Sequence, residues 1–283
     1  MTPELVRAID EAMARGEPVA LVTIVAAHGS TPQRVGAKML VYADGRTLGT
    51  IGGGCYESDA FGKAREVLRT RRGRMVRYEL TDDFAAETGL ICGGQMEVFI
   101  EAIEPPPQLV ILGAGHVGLQ LGRLAPALGF RVHVVDDREK FANRERFPDA
   151  EQVHVEDIPS WIERTPLPPS AYVCVLTRGH RQDYDAVRAL AGRDLRFVGL
   201  IGSRAKVARL VDRALEDGLP ADWLRRLHAP LGLDIGAVTP EEIAVSILAE
   251  LVGIRRGKLA DDELHAPSMR WTAPALRTEL RSV

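Results

Sequence analysis

Aromatic residues are scarce in this chain. Three Trp, five Tyr and seven Phe amount to 5% of its 283 residues. So few rings leave little material for a surface on which bases stack. A charge excess is missing too. The net charge of −3 gives no general attraction to nucleic acid or to an anionic membrane. No apolar run reaches the length that spans a bilayer. The first residues, Met1-Thr2-Pro3-Glu4-Leu5-Val6-Arg7, hold no basic stretch ahead of an apolar core, so no signal peptide is expected. Cysteine is rare, at three residues without a framework, which fits a reducing cytoplasm. There is no internal repeat and no low-complexity tract.

What remains is ordinary globular material. Hydrophobic residues make up 46% and charged residues 27%. The length suits one large domain or two ordinary ones, each with a core of its own. A break stands at Glu104-Pro105-Pro106-Pro107. Consecutive prolines cannot continue a helix or a central strand, so residues 105–107 read as a stiff linker.

Before the linker, residues 1–104 predict a small α+β domain. Helices are expected over 3–15 and 55–71. Strands are expected over 18–27, 37–42, 47–51, 74–80 and 95–103, with Asp44-Gly45 as a hairpin turn. After it, strand and helix alternate through 108–258. Apolar runs at 109–112, 131–135, 172–176 and 197–201 are strand candidates. Segments 117–128, 182–191, 203–217 and 240–256 are helix candidates. Such alternation argues for a doubly wound parallel sheet with helices on both faces. The fold class is therefore α/β, a Rossmann-type C-terminal domain preceded by a smaller α+β domain. Residues 259–283, charged and holding Pro267 and Pro274, read as a tail.

Gly113-Ala114-Gly115-His116-Val117-Gly118 carries the glycine spacing of a dinucleotide-binding turn. It follows an apolar strand and opens a helix. A second strand then ends at Asp136, about where the ribose-binding acid of such a site belongs. The helix start offers N–H groups and partial positive charge to a phosphate. Without a ligand, the same glycines would simply make a tight turn. Asp137 is the weaker ribose candidate, since strand alternation points it to the other side. Gly202-Ser203-Arg204-Ala205-Lys206 repeats the logic, with Ser203 as helix cap and two cations beside it. The bland alternative there is an N-cap with solvated side chains. Thr177-Arg178-Gly179-His180 follows another strand, so Arg178 and His180 are expected near the same crevice as His116 and Ser203. A further glycine-rich loop runs from His228 to Gly236. A metal set of His116, His180 and His228 is conceivable, but no short ligand spacing supports it.

Two of the three cysteines have glycine neighbours: Gly52-Gly53-Gly54-Cys55 and Cys92-Gly93-Gly94. Missing Cβ atoms let such backbone turn tightly and approach a ligand closely. Cys55 stands at an expected helix start, where the dipole favours thiolate, although Glu57 works against it. Each thiol is either functional or a small residue filling a tight turn. Cys174, inside Tyr172-Val173-Cys174-Val175-Leu176, reads as a core residue. Ser30, Arg34 and Lys38 lie in and after the loop Ser30-Thr31-Pro32-Gln33-Arg34, where the two cations could hold an anion.

Together these motifs resemble the XdhC/CoxI family, the xanthine dehydrogenase accessory factors. The resemblance runs from about Leu21 to Arg256. It rests on Gly29-Ser30-Thr31-Pro32, Gly36-Ala37-Lys38-Met39, Gly49-Thr50-Ile51-Gly52-Gly53-Gly54-Cys55 with Glu57, and Cys92-Gly93-Gly94. It continues through the 113–118 turn, Val135-Asp136-Asp137-Arg138, Thr177-Arg178-Gly179-His180, Gly199-Leu200-Ile201-Gly202-Ser203-Arg204 and the 228–236 loop. The resemblance implies a cytoplasmic, commonly dimeric chaperone rather than a catalyst. Such a protein binds molybdenum cofactor in its molybdopterin form and supports its sulfuration with a cysteine desulfurase. It then delivers the cofactor to a xanthine dehydrogenase-type apoenzyme. The cofactor-binding candidates are Gly113, Gly115, His116, Gly118, Asp136, Arg178, His180, Gly202, Ser203 and Arg204. From the first domain they include Ser30, Arg34, Lys38, Gly53, Gly54, Cys55 and Cys92. Either of those cysteines is a candidate molybdenum contact, since soft thiolates suit such a metal. Two alternatives compete. One is an NAD(P)-dependent oxidoreductase using the 113–118 turn and Asp136, with His116 or His180 as acid or base. The other is a sulfurtransferase carrying persulfide on Cys55 or Cys92.

Overall fold

The computed structural model describes residues 1–79 and 94–259. The chain divides into two compact units, with the boundary between Pro106 and Pro107.

The first unit is an antiparallel sheet with a helix on each face. Its elements are α1 (Pro3–Ala14), β1 (Val19–His28), β2 (Lys38–Tyr42), β3 (Thr47–Gly49), α2 (Gly54–Thr70), β4 (Arg74–Glu79) and β5 (Gln95–Ile103). The strand order is β3-β2-β1-β5-β4. Side chains alternate across a strand, so β1 feeds two cores. Ala20, Val22 and Ile24 pack with Met39, Val41, Met96, Val98 and Ile100 beneath Ala60, Ala64 and Val67 of α2. Val19 and Leu21 face the other way, onto Leu40, Tyr42 and Leu5 and Ala12 of α1. Thr2 caps α1 by accepting from the Leu5 N–H, and Pro3 occupies the first turn, where no donor is needed. The register of β1 on β5 shifts between Ile24 and Ala26. The sheet edges are β3, only three residues long, and β4, which carries Arg74 and Arg77. The expected strand at 47–51 is cut short at Gly49, whose φ of +82° leaves the extended region.

The second unit is a Rossmann-type parallel sheet. Its strands are β6 (Gln108–Leu112), β7 (Arg131–Asp136), β8 (Gln152–Val155), β9 (Tyr172–Val175) and β10 (Phe197–Leu200). Their order is β10-β9-β6-β7-β8, all pairs parallel. A strand-like stretch at His228 continues the sheet beside β10, since the Leu200 N–H donates to the His228 carbonyl. The helices are α3 (His116–Leu124), α4 (Ile158–Arg164), α5 (His180–Leu190), α6 (Arg204–Glu216), α7 (Ala221–Arg225) and α8 (Pro240–Arg255). Leu109, Ile111 and Cys174 face α3 and α8 through Leu121, Ile247 and Leu251. Val110, Leu112, Val173 and Val175 face α4, α5 and α6 through Trp161, Val187 and Leu210. Strands buried on both faces explain why these segments read as unbroken apolar runs.

Two details depart from the sequence expectation. The helix expected over 117–128 starts at His116 and gives way at Ala125 to a 3₁₀ turn, Ala125–Leu128. Pro126 has no N–H for the α-helical ladder. Strand β8 and helices α4 and α7 were not expected. β8 is four residues long with half its side chains exposed, too short to show a period. The expected tail begins at residue 259, almost wholly outside the described residues, as does the stretch around Cys92. No described helix is long and apolar enough to cross a membrane.

Candidate functional site

Strands β6 and β9 are neighbours, yet the chain leaves them toward opposite faces of the sheet. β6 leads to α3 and β9 to α5. A crevice opens at such a switch point, outside the carboxyl ends of the strands. The turn after β6 is shaped by contacts only glycine permits. Gly113 has φ +115°, and its N–H donates to the Val135 carbonyl at 2.8 Å. A Cβ on Gly113 would lie 2.3 Å from the Leu176 carbonyl oxygen, and one on Gly118 would lie 2.1 Å from the Gly113 carbonyl oxygen. Gly115 differs, because nothing lies within 4 Å of its Cβ position. It is the N-cap of α3, and no side chain caps that helix. Helix α5 likewise begins at an uncapped glycine, Gly179. First-turn N–H groups have no intrahelical partner and favour an anion. The exposed side chains of His116 and His180 open the same two helices.

Cations collect beside the turn. Arg146 donates to the carbonyls of Ala114 (3.2 Å) and Phe141 (3.1 Å). Arg178 pairs with Asp137 at 2.8 Å. Arg138 lies over the Phe141 ring, with Cζ 3.8 Å from its centroid. Asp136 is 3% exposed. Its Oδ1 accepts from the Arg138 N–H (3.0 Å) and Nε (2.8 Å). Its Oδ2 accepts from the Ala114 N–H and Arg138 Nη2, both at 2.8 Å. Burial alone would raise this carboxyl pKa. Arg138 and the two N–H groups outweigh burial and hold it below the ordinary value.

A second cluster braces the carboxyl ends of β9 and β10. Ser203 caps α6 by accepting from the Lys206 N–H at 3.3 Å. The Lys206 ammonium pairs with Asp183, a fully buried carboxylate on α5. Asp183 also accepts from the Thr177 hydroxyl at 2.7 Å, and Lys206 Nζ donates to the Ile201 carbonyl at 3.2 Å. Arg204 is exposed on the first turn of α6, directly after Gly202 and Ser203. The sequence offers Lys206 as a cation for an anion beside this helix start or as a solvated side chain; it is turned instead onto Asp183, which the sequence did not point to. The metal set of His116, His180 and His228, which no ligand spacing supported, does not form among the described residues. His228 is buried, its Nδ1 3.0 Å from Glu250 Oε1 and its ring 4.4 Å from that of Phe197. Among the described residues no three His, Cys, Asp or Glu side chains gather as metal ligands. Cys174 is buried in the core, and burial pushes its thiol pKa up.

In the first unit the glycine motifs meet. A Cβ on Gly52 would lie 2.7 Å from Pro32, and one on Gly94 would lie 2.4 Å from the Ser30 carbonyl oxygen. The loop at Ser30-Thr31-Pro32 thus packs on both. Cys55 is exposed in the first turn of α2. Cys92 itself lies outside the described residues. Gly53 and Gly54, both at φ +78°, complete the loop before Cys55. Glu57 turns back onto that loop. Its Oε2 accepts from Thr50 Oγ1 (2.5 Å), the Ile51 N–H (2.9 Å) and the Gly53 N–H (3.0 Å). Lys38 donates to Thr23 Oγ1 across the β1–β2 pair at 2.9 Å, and Arg34 is exposed in the loop ahead of it. These two cations are not joined to the loop cluster by any hydrogen bond among the described residues.

Glu57 is therefore a loop fastener as well as a charge near Cys55. Burial would raise its pKa, but the hydrogen bonds from Thr50, Gly53 and Ile51 outweigh burial and lower it. A depressed folded pKa means its stabilisation is complete above the ordinary glutamate value of 4.5. It is lost as pH falls through the lower folded value. Glu57→Gln is expected to lower the thermal midpoint at neutral pH, with the gap to the parent closing below pH 4.5. Melting curves across that range check this, and a gap that does not vary with pH would refute it.

The comparisons with known proteins fall on the same segments. A sequence profile described as "XdhC Rossmann domain" matches residues 109–251, and one described as "XdhC and CoxI family" matches residues 12–79. The Escherichia coli protein YqeB, itself uncharacterised, is 37% identical over 84% of this chain, which spans only 44% of YqeB. A Bacillus subtilis protein, described as a probable xanthine dehydrogenase subunit, is 25% identical over 88% of this chain and 96% of its own. The E. coli molybdenum cofactor insertion chaperone PaoD is 24% identical over 87% of this chain and 86% of its own. A crystal structure described as that of a xanthine dehydrogenase from Bacillus halodurans matches with TM-score 0.50 and 24% identity. The match covers 91% of this chain and 97% of that one, and it supports the fold.

Proposed function

Because this chain belongs to the XdhC and CoxI family, we propose that it is an accessory protein for a molybdenum hydroxylase of the xanthine dehydrogenase type. In this reading it binds molybdenum cofactor as cargo, supports its sulfuration by a cysteine desulfurase, and delivers it to the apoenzyme. It works as a homodimer. The relatives named for xanthine dehydrogenase and for cofactor insertion support the accessory role.

The observation that carries the reading is the switch-point turn. Two uncapped helix starts and a glycine cradle lie beside Arg146 and Arg178. That donor set fits the phosphate end of such a cargo. Gly113 and Gly118 hold the turn closed, while Gly115 leaves room for an oxyanion beside the first N–H groups of α3. Arg178 and Arg146 offset the charge an anion brings. In the first unit, taken by itself, Cys55 offers an accessible thiol of a kind suited to soft-metal or sulfur chemistry.

Two measurements test this. Purified from molybdate-grown cells, the chain is expected to carry molybdenum and pterin and to restore activity to a cofactor-free hydroxylase. Failure on both counts would discard the proposal. Cys55→Ser is expected to deliver cofactor that lacks the added sulfur. Delivery of active, sulfurated cofactor at the parent rate would remove the thiol from the mechanism.

A further inference from the structure

Asp136 stands where a dinucleotide-binding turn presents a carboxylate to the ribose hydroxyls. A carboxylate accepts about four hydrogen bonds. Here the chain itself supplies four, from the Ala114 N–H, the Arg138 N–H, Arg138 Nε and Arg138 Nη2, all between 2.8 and 3.0 Å. The Arg138 guanidinium is held edge-on by Asp136 and face-on by Phe141, with Asp137 Oδ1 a further 3.8 Å from its Nε. It is therefore fixed in place before any ligand arrives.

We propose that Arg138 is a specificity-determining residue that closes the ribose-diol position. The turn then recognises its ligand through phosphate and not through a nucleoside ribose. This rests on the reading of the turn as a phosphate site. A ribose hydroxyl pair could reach Asp136 only by displacing a bidentate, charge-assisted pair, the stronger class of hydrogen bond. Nor is the guanidinium held out for a ribose 2′-phosphate, because Nε and Nη2 are both turned inward onto Asp136. What stays accessible is the cradle at Gly115 and the uncapped starts of α3 and α5.

The test is calorimetric titration of the full chain with inorganic pyrophosphate, NAD and NADP. The parent is expected to bind pyrophosphate at least as tightly as either dinucleotide. Arg138→Ala removes the Nε and Nη2 donors and leaves the N–H groups of residues 114 and 138 in place. It should shift preference toward NAD. The expected shift is about tenfold or more, the worth of one or two hydrogen bonds to a charged group. Arg138→Lys keeps the charge but loses the planar fork. It should shift preference in the same direction by less, and it serves if the alanine variant fails to fold by circular dichroism. A parent that prefers NAD or NADP by about tenfold or more overturns the proposal. So does an unchanged preference in a folded variant, with the phosphate reading left standing. No pyrophosphate binding by the parent overturns the phosphate reading, and this proposal with it.

Discussion

Lys206→Met is expected to lower the unfolding free energy of the second unit by about 3–5 kcal/mol. The reason is the partner it abandons. Asp183 is fully buried, and Lys206 is the cation paired with it. With the ammonium gone, the carboxylate keeps only the Thr177 hydroxyl at 2.7 Å among the side chains of the described residues. A buried charge without its counter-ion is costly, whereas a buried pair replaced as a whole costs far less. Asp183→Asn/Lys206→Met should therefore recover most of the loss, since asparagine can still accept from Thr177. Urea unfolding followed by circular dichroism reads both variants. A single substitution that costs under about 1 kcal/mol would show that the pair is solvated after all.

The second large effect is a contrast among three glycines of one turn. Gly118→Ala places a methyl group 2.1 Å from the Gly113 carbonyl oxygen, a backbone atom that cannot step aside. Overpacking of this kind costs about 1–3 kcal/mol and sometimes more. Gly113→Ala combines a 2.3 Å overlap with the Leu176 carbonyl and a φ of +115°. The strained dihedral adds about 1–3 kcal/mol. Both variants should be poorly folded. Gly115→Ala meets nothing within 4 Å and should melt with the parent. Its loss should appear only in pyrophosphate binding, weakened by about tenfold, because the methyl group fills the anion's approach. Equal stability of all three variants would refute the packing argument. Full pyrophosphate binding by Gly115→Ala would refute the phosphate approach.

Much of the second unit was legible before any coordinates. Residues 109–112 are apolar throughout because β6 is buried on both faces, and the glycines that follow can only be a turn. Asp136 was legible as the acid at the end of the second strand. Its capture by Arg138 was not, because a spacing of two says nothing about where a guanidinium folds. Asp183 was missed for a related reason. Its cation sits on the next helix, and pairing between α5 and α6 leaves no local pattern. β8 was missed because four residues, two of them exposed and none fully buried, carry no periodicity. In the first unit the three glycine motifs were visible separately. Their meeting depends on Pro32 and Ser30 lying against Gly52 and Gly94, contacts between segments well apart in sequence that leave no local pattern. Glu57 was weighed only as a charge near a thiol. Its hydrogen bonds to the backbone belong to the loop's fold.

The carboxylate that Glu57 lodges in the 50–54 loop is a tethered competitor. A free anion seeking those N–H groups must displace a side chain only four residues from Gly53. Short tethers give local concentrations of roughly millimolar or above. Chloride, phosphate or citrate below that range leaves the loop as it stands. Cys55 consequently keeps the same immediate neighbours from one dilute buffer to the next.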